Sequence, residues 1–286
     1  MPNTTETLSD ADIQALARLY RFSPDVRAAR GRTGRRQGKE TGASVEIQDF
    51  RDYVPGDDPR HIDWMAYGRT DRLMIRLYRE EVSPYVDLIV DSSPSMSLAD
   101  GRKAALRHEL CAYLYHSARA EGTGIRLFSA GDDMRRVADP YQFDGSAGRS
   151  VLFSDPRAAA AGLRRSAIRI VLSDFMDPAD PRVVLRTLSE GCVELIILQL
   201  LGPWEADPDP TGPSVLENCE DHQRVDVQLD ADRVAAYRKR LGALLETVED
   251  ETIRCGGLYL KLIADRPLEA ILQNVLLPAE LISLAG

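Results

Sequence analysis

The chain has 286 residues, 44% of them hydrophobic, with 20 glycines, 16 prolines and a net charge of −9; that is enough apolar material for a core spread over about two domains, and it excludes a disordered or collagen-like chain. The longest apolar run, Cys192 to Trp204, is broken by Glu194, Gln199 and Pro203 and falls short of the roughly 20 residues of a membrane span; the start of the chain carries Glu6, Asp10 and Asp12 without an apolar secretory core, so the expected compartment is the cytoplasm. Cys111, Cys192, Cys219 and Cys255 have no CxxC spacing and there are only 4 histidines, which excludes a zinc ligand set and reads the cysteines as small buried hydrophobes.

Residues 1–83 hold 14 basic against 14 acidic side chains, so the whole of the −9 belongs to residues 84–286. Ser9 is placed to cap a helix through Ile13, Leu16, Ala17 and Tyr20, with Asp10 and Asp12 in its first turn. Arg27, Arg30, Arg32, Arg35, Arg36 and Lys39 follow, interleaved with Gly31, Gly34 and Gly38 and free of acids. No aromatic lies among them to stack a base and the chain as a whole is acidic, which reads against nucleic acid and for a solvated or internally paired loop, with a protein contact as the other alternative. Ser44 to Phe50 alternates like a strand, Tyr53 to Arg60 is dense in turn residues, and Leu73 to Tyr78 is a further strand.

From Pro84 the texture changes. Tyr85 to Val90 is an apolar strand apart from Asp87, and Arg102 to Ala120 is a helix with Leu106, Leu110 and Leu114 on one face. Strands at Gly124–Phe128, Ala167–Leu172, Cys192–Leu201 and Gly257–Ile263 alternate with helices at Asp155–Leu163, Pro181–Leu188, Ala231–Glu249 and Leu268–Leu276. Ala206 to Pro213 reads as a loop excursion, and Gln223 to Leu229 as an added edge strand. This alternation predicts an α/β fold, a doubly wound and mainly parallel sheet over 84–286, preceded by a small N-terminal module over 1–83.

In such a sheet ligands bind beyond the carboxyl ends of the strands. Asp91 and Asp174 both fall there, and Asp91 opens the string Asp91-Ser92-Ser93-Pro94-Ser95. One carboxylate and two hydroxyls on a tight loop, with a second carboxylate from another strand, are the hard oxygen donors that Mg²⁺ prefers. The same residues also suit capping of the following helix.

Asp91-x-Ser93-x-Ser95 followed by β/α alternation resembles the von Willebrand factor A fold with its metal-ion-dependent adhesion site. The block Phe50-Arg51-Asp52-Tyr53-Val54-Pro55-Gly56-Asp57-Asp58-Pro59-Arg60-His61-Ile62-Asp63-Trp64 resembles the signature of domain-of-unknown-function family 58, in which a short module precedes an A-type domain. The resemblance covers roughly residues 30–285 and implies a partner of MoxR-type AAA+ ATPases acting on a client protein in assembly or maturation. A-type sites usually add a threonine on a loop before a helix; no threonine lies between Thr123 and Thr187, and Ser154, ahead of Asp155-Pro156, is the nearest matching position, equally suited to a helix cap. The expected metal set is therefore Asp91, Ser93, Ser95, Asp174 and Ser154 around weakly bound Mg²⁺ or Mn²⁺. Arg51, Tyr53, Asp57, Asp58, Arg60, Asp63 and Trp64 are expected at a module junction or partner surface, with Trp64 anchoring a short helix and the arginines pairing with the aspartates.

Enzymatic readings are weaker. An aspartyl-nucleophile phosphatase needs an acid two positions after Asp91, where Ser93 stands. Phosphate-binding and nucleophile-elbow glycine motifs are missing from the sequence. The expectation is a non-catalytic, metal-dependent adaptor, with a magnesium-dependent hydrolase of phosphate esters as the alternative.

Overall fold

The structure, a computed structural model, describes residues 8–23, 45–54, 62–80, 85–97, 101–141, 143, 148–209, 212–217, 219 and 223–285. The first elements are helix α1 (Asp10–Leu19), strands β1 (Tyr20–Phe22) and β2 (Val45–Asp52), helix α2 (Trp64–Thr70), strands β3 (Met74–Glu80) and β4 (Tyr85–Asp91), and helix α3 (Arg102–Ala120). Strands β5 (Ile125–Ala130) and β6 (Met134–Val137), helices α4 (Val151–Ser154) and α5 (Pro156–Ala161), strand β7 (Ala167–Ser173), helix α6 (Pro181–Ser189), strand β8 (Glu194–Leu201) and helix α7 (Pro203–Ala206) follow. The chain ends with strands β9 (Gly212–Glu217) and β10 (Arg224–Leu229), helix α8 (Ala231–Arg254), strand β11 (Leu258–Ile263), helix α9 (Leu268–Ile271) and strand β12 (Ile282–Leu284). Two compact units result: Met1–Thr33 together with Pro84–Gly286, and Gly34–Ser83.

The larger unit is built on a six-stranded sheet in the order β11-β8-β7-β4-β5-β6. All neighbours are parallel except β6, which runs antiparallel to β5 at the edge. Side chains of β4, β7 and β8 are buried on both faces, which is why these segments read as near-continuous apolar runs. Val86, Leu88 and Val90 point to one layer, with Ile168, Ile170, Leu172, Leu110 and Leu114. Ile89 points to the other, with Val171, Ile197, Leu185, Leu188 and Val248. Each such fully buried aliphatic side chain contributes about 1.5–3 kcal/mol. The chain leaves β4 outward to β5 and β6, then returns to β7 on the other side of β4. The strand order therefore reverses between β4 and β7, and the loops leaving those two strands open a crevice there.

Helix α1, expected in the N-terminal module, packs on the larger unit instead. Its buried stripe, Ile13 and Ala17, joins the same core as Tyr20, Phe22 and Leu110. Strand β1 pairs antiparallel with β12, Tyr20 opposite Leu284 and Phe22 opposite Ile282. The Phe22 amide donates to Ser117 Oγ at 2.7 Å, and Tyr113 Oη donates to the Tyr20 carbonyl at 2.8 Å. The physical reason is that an amphipathic helix must cover its apolar stripe, and α3 offers the complementary face. The segment Gln223–Leu229, expected as an edge of the main sheet, forms a separate hairpin with β9, Val225 opposite Leu216; the short connection lets the two strands close on each other locally.

The smaller unit holds the antiparallel pair β2–β3, with a bulge between Ile47 and Asp49, and helix α2. Ile62 bridges to Ile75, and both are buried. Among the described residues no helix is long and apolar enough to cross a membrane.

Candidate functional site

The carboxyl ends of β4 and β7 meet at the crevice, and the sequence chooses the side chains there. Asp91 ends β4 fully buried. Its Oδ1 accepts the Ser93 amide at 2.9 Å and its Oδ2 accepts Ser173 Oγ at 2.6 Å. Burial, reinforced by the Asp174 charge, pushes the Asp91 carboxyl up to about 6 against those two stabilising donors. Asp91 thus fixes the loop from below, and the loop carries Ser93 and Ser95 with their hydroxyl oxygens 3.2 Å apart.

Asp174 follows β7 and is itself buried. Phe175 next to it adopts a left-handed backbone, φ 57°, a conformation that costs a non-glycine residue about 1–2 kcal/mol. Three contacts hold that turn: the Phe175 amide donates to Ser173 Oγ at 3.1 Å, the Met176 amide to Asp174 Oδ1 at 2.9 Å, and the Phe175 ring packs edge-on against Phe153. Strain of this kind survives where the surroundings overdetermine it, and it collects at functional sites.

Ser93, Ser95 and Asp174 line one narrow cleft, together with Ser150, Phe153, Met176 and Asp177. Ser154 does not join the lining. Its hydroxyl donates back to the Ser150 carbonyl at 3.2 Å, on its own helical turn, so it plays the helix-bound part and Ser150, the N-cap of α4, takes the position facing the cleft. Ser150 Oγ donates to the Ala130 carbonyl at 2.9 Å, which ties α4 to the end of β5. Asp177 is held by Arg149, whose Nε donates to it at 2.6 Å.

Besides Ser150, Asp177 and Glu205, sequence reasoning missed Lys103, in the first turn of α3. It is fully buried, and its Nζ donates to Asp174 Oδ2 at 2.6 Å and to Glu205 Oε1 at 2.9 Å. Burial pulls the Lys103 ammonium down, but Asp174 and Glu205 outweigh it and hold the group above the usual lysine range. Burial raises the Glu205 carboxyl, with Lys103 and the Gly202 amide opposing.

The donor set fits a divalent cation in kind. Two hydroxyls and the Asp174 carboxylate are hard oxygens on one cleft, which is Mg²⁺ chemistry. It is sparse in charge: among the described residues no group of three or more His, Cys, Asp or Glu side chains is placed to hold a metal. Both Asp91 oxygens are occupied by protein donors, so Asp91 sits behind the hydroxyls and not beside them in the lining.

In the smaller unit, Asp63 caps α2, accepting the amides of Met65 and Ala66 at 3.0 Å each. Trp64, expected as an anchor, is 61% exposed and meets Tyr67 edge-on. Tyr53 donates its amide to the Leu73 carbonyl at 2.9 Å. Asp57, Asp58 and Arg60, the Arg51 side chain and the Arg27–Lys39 loop lie outside the described residues.

Residues 49–244 match the family described as "Protein of unknown function DUF58". No curated protein matches the chain. Among solved structures, a conserved hypothetical protein BatB from Bacteroides thetaiotaomicron is similar at 13% identity and a TM-score of 0.37, over 69% of this chain and 98% of that one. An aerotolerance-related membrane protein from Bacteroides fragilis is similar at 14% identity and a TM-score of 0.33, over 63% of this chain and 91% of that one.

Proposed function

The chain belongs to the DUF58 family, and from that premise we propose that its larger unit is a non-catalytic, cytoplasmic adaptor whose Ser93–Ser95–Asp174 cleft receives an acidic side chain of a partner protein. The partner is a MoxR-type AAA+ ATPase, and the pair acts on a client protein in assembly or maturation. Ser93, Ser95 and Asp174 are the residues that would hold Mg²⁺ or Mn²⁺, with Ser150 at the margin. Such an ion, when bound, supplies a positive charge that a partner carboxylate can meet. Asp177, the other carboxylate of the lining, is engaged by Arg149 and the Ala179 amide, which leaves Asp174 as the one carboxylate of the donor set, so the ion keeps most of its water and is held weakly.

The observation that carries this reading is the convergence of the Ser93 and Ser95 hydroxyls and Asp174 on one cleft, at the reversal of strand order, with no histidine in the lining. Hydrolysis of a phosphate ester is the alternative. It is disfavoured by Asp91, whose carboxylate is fully buried and hydrogen-bonded on both oxygens, out of reach of a substrate. The test is capture of the purified ATPase by the full chain with and without EDTA. A Ser93→Ala/Ser95→Ala variant with an unchanged circular dichroism spectrum is expected to lose the EDTA-sensitive binding. Binding indifferent to both EDTA and the double substitution would overturn the reading, and phosphatase turnover lost in Ser93→Ala would replace it with the hydrolase.

A further inference from the structure

We propose that Lys103 is a tethered cation that competes with a divalent ion for Asp174, so that the protein itself sets the metal affinity of the cleft low. The inference rests on the metal reading given above and names the residue that regulates it.

Three observations carry it. First, Lys103 is fully buried in the first turn of α3, and its two described acceptors are the carboxylates of Asp174 and Glu205. It is therefore a fixed charge, with no solvent to retreat into. Second, Asp174 is the one carboxylate shared between this ammonium and the lining that also holds Ser93 and Ser95. Its Oδ1 already accepts the Met176 amide and its Oδ2 the ammonium, so both oxygens face a protein donor before any ion arrives. Third, Glu205 is anchored independently: its Oε2 accepts the Gly202 amide at 2.6 Å, and its carbonyl accepts Tyr237 Oη at 2.7 Å. Lys103 is thus drawn toward Asp174 on one side and braced by Glu205 on the other.

The electrostatics follow. The formal charge of Lys103, Asp174 and Glu205 together is −1, whereas the two carboxylates alone would carry −2 and attract a dication strongly. An ammonium donating to the same carboxylate as an incoming ion repels that ion and withholds an oxygen lone pair from it. The same ammonium keeps Asp174 and the strained Phe175 turn in place when no ion is bound, because two adjacent buried carboxylates without a counter-ion repel each other. The lining is held closed by its own contacts without metal, and metal enters only by loosening a contact that already exists.

Competition can be separated from simple charge by a charge-neutral pair. Lys103→Met/Glu205→Gln removes one positive and one negative charge, leaving the formal charge of the triad at −1, while the introduced glutamine keeps an oxygen for the Gly202 amide. Mn²⁺ is titrated into the full chain, and free Mn²⁺ is read from its electron paramagnetic resonance signal. The double variant is expected to bind Mn²⁺ about tenfold more tightly than the parent. Glu205→Gln alone is expected to bind more weakly than the parent, because Lys103 then gives its charge to Asp174 undivided. A parent that binds Mn²⁺ and a folded double variant that binds it no more tightly would overturn the role of Lys103 and leave the metal reading standing. Full free-ion signal in the parent and in both variants would overturn the metal reading and this inference with it.

Discussion

Replacing Asp91 by asparagine tests the assignment of this carboxylate as a buried, internally bonded strut. The side chain is fully buried, and its carboxyl is pushed from 3.8 to about 6 by burial first and by Asp174 second. A carboxyl whose folded pKa exceeds its unfolded one binds its proton more tightly in the folded state between the two values. Stability therefore falls as pH rises from about 4 to about 6 and stays at the lower level above that. The shift of about two units corresponds to about 3 kcal/mol at neutral pH, as an upper limit. Asparagine keeps an oxygen for the Ser93 amide and turns its amide nitrogen toward Ser173 Oγ, which can accept where it formerly donated. Exchange of two charge-assisted hydrogen bonds for neutral ones, with the Ser173 hydroxyl proton losing its acceptor, offsets part of the gain, so Asp91→Asn is expected to stabilise the protein by about 1–2 kcal/mol at pH 7. Urea unfolding of parent and variant at several pH values, taken as the difference at each pH, removes the contributions of carboxylates that do not interact with Asp91 and leaves Asp91 together with its effect on Asp174. The difference should shrink toward zero or change sign near pH 4. A variant less stable than the parent at pH 7, or a difference that does not vary with pH, would refute the reasoning.

Arg126→Met is expected to cost about 3–5 kcal/mol in urea unfolding, because buried Asp87 loses both guanidinium bonds, 2.7 Å each, and keeps only the Arg164 amide among its described donors; a cost below about 1 kcal/mol, the level of a surface pair, would mean the pair is not structural. Gly257→Ala drives a Cβ into the Leu195 carbonyl oxygen, well inside van der Waals contact, so a loss of at least about 1–3 kcal/mol is expected from thermal melts. Ser117→Ala removes the oxygen that accepts the Phe22 amide and donates to the Tyr20 carbonyl; faster hydrogen exchange at Phe22, with exchange in β7 unchanged, is the expected readout of a loosened N-terminal strand.

The central sheet was legible because its strands are buried on both faces, so that Tyr85–Asp91, Ala167–Ser173 and Glu194–Leu201 show as apolar runs whatever surrounds them. Strand β6 was not, since Met-Arg-Arg-Val is a half-exposed edge with no apolar run to mark it. The period of α1 was legible and its address was not: Ile13 and Ala17 declare a stripe, but the sequence does not say that it joins the core shared by α3 and β12. Proximity along the chain suggested the N-terminal module, and complementary apolar surface decided otherwise.

The same division runs through the site. Asp91, Ser93, Ser95 and Asp174 stand at strand ends and could be placed from the pattern of a doubly wound sheet alone. Ser150 carried a usable signal, an N-cap hydroxyl ahead of the apolar Val151-Leu152-Phe153, as did Glu205, two residues after the Pro203 that starts its helix. Lys103 carried none. A lysine in the first turn of an amphipathic helix reads as a solvated charge, and its partners lie 71 and 102 positions away. A string of oxygen donors is therefore half of the description of such a cleft. In the metal reading proposed here, the charge seated behind the cleft sets how strongly it draws a cation, and that charge comes from a residue whose local sequence points to water.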